Sequence, residues 1–277
     1  MNKNFKSELV SNHKTNVELL KSLPHGKAAE RTSNRYTVVN TLDVLPSILD
    51  EGFYMEKLSG PYSSKVEPYK KHVMSFVNPD IKVNGDTYAR ILMSNSYDGL
   101  SALTVIAGLF RSACENRMVF GSIGNVTNIS NKHLEGVTEA VEKIDEYLEA
   151  VPRIGEVITK YRDTSIDDEL QAKLALEFAC LRQEAIWGNR FDRNQFAVDT
   201  ESMLAPERPQ DKGDDAWMVF NRLQEKVING GYQYRREGRD KFKKAKAIRN
   251  PNTEQKINSL LFPKMNEIII PEYEVIS

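Results

Sequence analysis

The sequence predicts an α+β fold: a central antiparallel β-meander covered by a helical hairpin and C-terminal helices. Two observations predict it. Between residues 70 and 121, β-branched and aliphatic runs are punctuated by Asn84-Gly85 and Asp98-Gly99, dipeptides that supply the positive φ of tight hairpins. From residue 134 onward the apolar period switches. Leu134, Val137, Val141, Ile144, Leu148 and Val151 recur at helical spacing, one stripe of an amphipathic helix.

Residues 1–35 read as a polar N-terminal arm. Lys3, Lys6, Lys14, Lys21, Lys27, Arg31 and Arg35 outnumber the glutamates and apolar residues are sparse, so the segment is an extended arm or loose helix that packs on something else. The α+β core, 36–198, opens with a strand at Tyr36 to Val39. A helix over 43–51 follows, capped by Asn40 or Thr41 and ended by Gly52, and then a strand to residue 58. The meander strands fall at 72–77, 81–83, 87–97 and 100–114, the last bent at Gly108. Val119-Phe120 adds an edge before the Gly121-Ser122-Ile123-Gly124 turn. Pro152 kinks or ends the first long helix, which Ile154 to Tyr161 continues. Ser165 with Asp168 forms a capping-box-like start for a second helix through Leu170, Leu174, Phe178, Leu181 and Ala185, running to about Trp187. Residues 199–215, rich in acids with two prolines and a glycine, read as a linker-like loop. Residues 216–277 form a C-terminal helical and basic segment packed on the core. Trp217, Phe220, Leu223 and Val227 mark its helix, stopped by Gly230-Gly231. Thr253 caps a short helix through Ile257, Leu260 and Leu261, and Ile268 to Ile270 closes as a strand.

Composition narrows the function classes. The 277 residues are 40% hydrophobic and 28% charged, a globular balance that is neither collagenous, disulfide-scaffolded nor low-complexity. With 38 cations, 39 anions and a formal net charge of -1, the chain lacks a uniform cationic coat. The distribution is uneven, however. Residues 135–169 carry eleven acids and four bases, net -7, and residues 232–249 carry eight bases and two acids, net +6. Two cysteines make no disulfide framework. The start lacks an apolar signal region, and the longest strongly apolar run, Ala102 to Phe110, is too short to span a bilayer. These features predict a cytoplasmic chain with reduced thiols and no membrane partner.

No Walker A, His-Glu-x-x-His or Gly-x-Ser-x-Gly sequence is present. The histidines, His13, His25, His72 and His133, lie in separate regions without metal-ligand spacing; His72 is expected on a sheet face with a hydrogen-bond partner. Cys114 and Arg111 are three positions apart on a strand, hence on opposite faces, which favours a buried structural thiol over a nucleophile. Cys180 is expected in helix packing. The sequence therefore implies no catalytic residue, no cofactor and no metal.

The basic segment is the candidate site. Arg235, Arg236, Arg239, Lys241, Lys243, Lys244, Lys246 and Arg249 are interleaved with Tyr232, Tyr234 and Phe242. Cations neutralise phosphates and release counterions, and aromatic faces stack on unpaired bases of any identity. Single-stranded nucleic acid is the partner this pattern fits. Arg90 and Arg111 lie within the meander; Arg90 shares alternate positions with Tyr88, Leu92 and Ser94. That face either offers an open groove with charge or is covered, with Arg90 ion-paired.

The stretch Asn95-Ser96-Tyr97-Asp98-Gly99, followed by Ser101 and by Arg111, Cys114 and Asn116, resembles an uncharacterised family borne by phages and plasmids. Its members carry an Asn-Ser-x-Asp-Gly turn between two strands and then an Arg-x-x-Cys-x-Asn ending. Trp217, Asn221 and Glu225 are similar to that family's late Trp-x-x-x-Asn-x-x-x-Glu pattern. The resemblance covers about residues 70–260. Tyr97 stands where a histidine is common, and Arg117 where a small residue or asparagine is common. Occurrence on mobile elements implies a role in DNA metabolism. The turn residues Asn95, Ser96, Asp98 and Gly99 have a structural use, because Asn and Asp side chains bond turn backbone and Gly supplies positive φ. A meander followed by a long helix is also the core arrangement of phage single-strand annealing proteins, an analogy of architecture alone. The expected function is an accessory of phage or plasmid DNA metabolism that binds, and anneals, single-stranded DNA. The alternative is a non-enzymatic interaction protein, either an inhibitor of a host factor or a homo-oligomer whose two opposed charge patches pair between copies.

Overall fold

The computed structural model describes residues 3–23, 27–30, 32, 38–60, 69–99, 101, 103–111, 114–119, 133–236 and 241–271. They fall into two compact units, Met1–Glu115 with Ser122–Pro152, and Asn116–Gly121 with Arg153–Ile276. The fold is α+β, with antiparallel strands throughout.

The first unit holds the meander apart from residues 116–119 of its last strand. Strands β1 (Tyr54–Ser59), β2 (His72–Asn84), β3 (Thr87–Asn95), β4 (Thr104–Arg111) and β5 (Cys114–Val119) form a five-stranded sheet in sequence order. Every residue of β3 is buried, so both sheet faces are covered. Helix α1 (Lys3–Lys21) lies on one face. Its Phe5 stacks on Tyr88 and Phe110 at 5.1 and 5.6 Å, and Leu9 packs with Val77 beside them. Residues 3–21 of the polar arm are therefore a helix. Its few apolar residues suffice because they meet an aromatic patch. Helix α2 (Thr41–Asp50), capped by Asn40, buries Val44, Leu45 and Ile48. Its first residue, Thr41, bonds His72 and Asn95, a cross-strand pair on the opposite face.

Among the described residues, edge strand β1 has no strand neighbour on its outer side. Helix α1 supplies side-chain partners to its backbone instead. His13 Nδ1 accepts the Met55 N–H at 3.0 Å, and Asn16 donates to the carbonyls of Met55 and Glu56. These contacts sit at the β-bulge between Met55 and Lys57, where backbone groups leave the regular ladder.

Two turns differ from the sequence reading. Asn84 pairs with Thr87, so Gly85-Asp86 forms the hairpin, one residue on from Asn84-Gly85; Gly85 takes φ +53 as first central residue. Asp98-Gly99 is part of a longer connection from Asn95 to Thr104, with Gly99 at φ +75. Residues 72–84 form one strand, because Asn78 accepts from the Asp80 and Ile81 amides and holds a bulge there. Of the strand predicted at Tyr36 to Val39, Val38 and Val39 are not in a strand, and Tyr36 and Thr37 lie outside the described residues, as does the Gly121–Gly124 turn.

Helix α3 (His133–Asp163) runs through Pro152 without ending. In the second unit, α4 (Asp168–Trp187), α6 (Ala216–Asn229) and α7 (Pro251–Ile269) pack together. Phe220 is the centre, with the rings of Trp217, Phe178 and Phe262 at about 6 Å. The α4 cap is Asp167, not Ser165, which instead bridges Asp215. The α7 cap is Asn250 rather than Thr253. Ile268 and Ile269 finish that helix instead of forming a strand. Residues 199–215 are not a loose linker: α5 (Thr200–Leu204) is capped by Asp199, Met203 is fully buried, and Asp211 is buried against Arg208. A second sheet joins β6 (Phe196–Val198), β7 (Gln233–Arg236) and β8 (Lys243–Lys244). Among the described residues, no helix is long and apolar enough to cross a membrane.

Candidate nucleic-acid interface

The basic segment is a hairpin strapped to the end of α6. Gly230 and Gly231 break that helix with φ +75 and +96. A Cβ on Gly230 would lie 2.4 Å from the Ala245 carbonyl oxygen, so only glycine admits the returning strand so closely. The strap is backbone-bonded: Gly231 N–H to Ala245 O, Ala245 N–H to Tyr232 O, and Ile248 N–H to Ile228 O, all at 2.8–2.9 Å.

This architecture sorts the aromatics. Tyr232 is fully buried. Its hydroxyl accepts from Arg182 Nη1 at 3.1 Å, the guanidinium lies over its ring, and Arg182 Nη2 also bonds the Lys246 carbonyl. Burial raises its pKa despite that cation. Tyr232 is thus an anchor under the hairpin and no stacking platform, which corrects its assignment as a contact residue. Tyr234 is half-buried, its ring 5.7 Å from Phe196.

The cations sort by strand pleat. Gln233 and Arg235 are exposed, and Tyr234 and Arg236 half-buried. Lys243 pairs with Tyr234 and Lys244 with Gln233, so the sheet divides its charge between two faces. Arg235 and Lys244 share one, beside the exposed Phe242, with Arg235 5.4 Å from its ring centroid. Arg236 and Lys243 share the other, where the Arg236 guanidinium sits 4.1 Å from the centroid of Trp187. Lys241, Lys246 and Arg249 are also exposed. Arg239 lies outside the described residues.

Arg90 and Arg111 do not contribute to a surface groove. Arg90 is 1% exposed. Its Nε donates to Ser75 Oγ at 2.8 Å, Nη2 pairs with Glu56 at 3.3 Å, and its guanidinium lies over Phe110. Arg111 is 2% exposed and pairs with Asp86 at 2.9 Å. Both are structural ion pairs, which corrects their assignment as phosphate contacts. Near Arg90, the Tyr147 hydroxyl accepts from the Arg90 N–H and donates to the Gly108 carbonyl, bridging a cross-strand pair of β3 and β4. Burial pushes that phenol far above its ordinary pKa.

The turn motif is buried too. Asn95 donates to the Val39 carbonyl and to Thr41 Oγ1. Ser96 Oγ donates to the Ser101 carbonyl and Tyr97 Oη to Thr41 Oγ1. Asp98 is 6% exposed, and Gly99 supplies the left-handed residue. His72 meets Thr41 at 2.9 Å, as a sheet-face histidine with a partner. These side chains splice the turn to α2. The side chains of Cys114 and His133, and all of His25, lie outside the described residues. Cys180 is buried, and its thiol is pushed up to about 11 by burial. Among the described residues, no group of three or more potential metal ligands clusters.

Trp217, Asn221 and Glu225 form one buried stripe of α6. Asn221 donates to the Trp217 carbonyl, while Glu225 accepts from Arg208 at 2.5 Å. Burial raises the Glu225 pKa, with Arg208 opposing and Asp211 and Glu207 adding to the rise. Lys226 pairs with Glu207, and Arg222 bonds Gln171 and the carbonyls of Asp211 and Gly213. Sequence reading missed this network. Its signal was the charged run Arg222, Glu225, Lys226 on a helix with apolar flanks. Sequence reading also missed Trp187, taken only as a helix end.

The sequence profile of the DUF932 family, described as a domain of unknown function, matches residues 28–258. The chain is 26% identical over 237 residues to the UPF0380 protein YfjQ of Escherichia coli (strain K12), covering 84% of this chain and 82% of that protein. It is 27% identical over 240 residues to the UPF0380 protein YafZ of the same organism, with the same coverage. No solved structure matches.

Proposed function

Starting from the fact that the chain belongs to the DUF932 family, whose description assigns no activity, we propose that it is a non-catalytic accessory of DNA metabolism on phages or plasmids that binds single-stranded DNA through the 232–249 hairpin. One observation carries the reading: Arg235, Lys241, Lys243, Lys244, Lys246, Arg249 and the ring of Phe242 are all exposed on a segment strapped to α6 by backbone bonds, with Arg235 beside that ring. Phosphates take the cations and unpaired bases take the ring. Annealing follows if two strands share one such surface. A gel-shift series at rising salt tests the reading, using the wild type and a variant with Arg235, Arg236, Lys243 and Lys244 all changed to Ala. Binding at low salt that the variant loses supports it. No shift at low salt, or equal shifts by both proteins, rejects it.

A second reading, association between copies, draws on a separate observation. Glu142, Asp145, Glu146 and Glu149 are exposed along α3, an acidic surface of opposite sign to the hairpin.

A further inference from the structure

We infer that Trp187 is the principal base-stacking residue of this protein, on the Arg236 face of the small sheet; the inference rests on the single-strand reading above. The two tryptophans are placed in opposite ways. Trp217 is fully buried in the Phe220 cluster, whereas Trp187 is 36% exposed. Trp187 is the last residue of α4, and Gly188, at φ +56 with nothing near its Cβ position, turns the chain away beyond it. The indole is therefore held at a helix end with part of its surface open to solvent.

Its neighbours are cations. The Arg236 guanidinium lies 4.1 Å from the indole centroid and that of the exposed Arg190 lies 5.7 Å away. Lys243 falls on the same sheet face through its pairing with Tyr234. An exposed indole flanked by guanidinium planes is the arrangement that receives an unpaired base, because both kinds of plane stack on nucleobases and the cations meet the adjoining phosphates. The opposite face is poorer. Its aromatic is the smaller Phe242, and the charge of Lys244 acts on Glu207, whose carboxyl is held below its ordinary range first by a hydrogen bond from Lys226 and then by the Lys226, Lys244 and Arg208 charges. An anion near a phosphate path weakens it.

The placement of the tryptophans makes the test direct. Intrinsic fluorescence is titrated with oligo(dT) at low salt beside a gel shift with the same oligonucleotide, for the wild type, Trp187→Phe and Trp187→Ala, each checked by circular dichroism. Expected are quenching of the wild type, and retained binding without quenching in Trp187→Phe, whose remaining Trp217 is out of reach. Trp187→Ala should bind about tenfold more weakly. A wild type that shifts the oligonucleotide with unchanged emission, and a Trp187→Ala that binds as tightly, overturn the stacking role while leaving the hairpin reading in place. A wild type that shifts nothing at low salt overturns both.

Discussion

Arg90 is the most consequential single side chain of the first unit. Ser75, Glu56, the Phe110 ring and, through its backbone, the Tyr147 hydroxyl converge on it. A buried cation carries a desolvation cost, and removing it strands its partner acid. Arg90→Ala is expected to lower unfolding free energy by about 3–5 kcal/mol, read as a lower urea midpoint. The paired change Arg90→Met with Glu56→Leu should recover most of that loss, since it removes both charges and leaves a shape of similar volume. If the paired variant is no more stable than Arg90→Ala, the ion pair is not what makes the residue necessary. The same residue marks a limit of sequence reading. An arginine at an alternating strand position looks identical whether the face is open or covered; only the burial of Tyr88, Phe110 and Leu9 around it decides.

At the scale of elements, the meander was legible because β-branched runs and Gly-containing turns are local signals. Elements that depend on distant packing were not. Residues 199–215 have a loop's composition, but the burial of Met203 and Asp211 orders them. Ile268 and Ile269 have strand propensity, but they continue the α7 face that buries Leu261 and Met265. The charge of the basic segment was legible, and its division between two sheet faces was not, because that depends on which residues enter β7 and β8. Two predictions belong here. Gly230→Ala should cost about 1–3 kcal/mol from backbone strain alone and more from the Ala245 contact, seen as a lower thermal midpoint. The α1 contact with β1 should weaken in acid. Desolvation lowers the His13 pKa, and only a neutral ring can accept the Met55 N–H. Its contribution is therefore whole above the ordinary imidazole value of ~6.5 and lost as pH falls through the lowered folded value. The protection factor of the Met55 amide, the exchange rate of an unstructured chain at the same pH divided by its own, should fall across that interval, and His13→Gln, which keeps an acceptor, should flatten the response. An unchanged protection factor in the wild type would show that the ring is not the acceptor in solution.

Over the whole molecule, the net charge of -1 conceals two segments of opposite sign. Binding through the hairpin should follow the salt rule for single strands. Contact with about five phosphates gives a log–log slope near -3.5 and roughly a hundredfold loss between 50 and 200 mM salt. Association between copies would be salt-sensitive as well, so size-exclusion chromatography with light scattering at both salts separates the two: mass that stays monomeric at low salt removes the assembly reading. The helix that seals β1 has one further consequence, for biosynthesis. Asn16 and His13 precede Met55 in the chain, so the ribosome releases the cover before it releases the edge. The cover is thus at hand when the strand emerges, and a chain lacking α1 would leave the same edge as a template for intermolecular pairing.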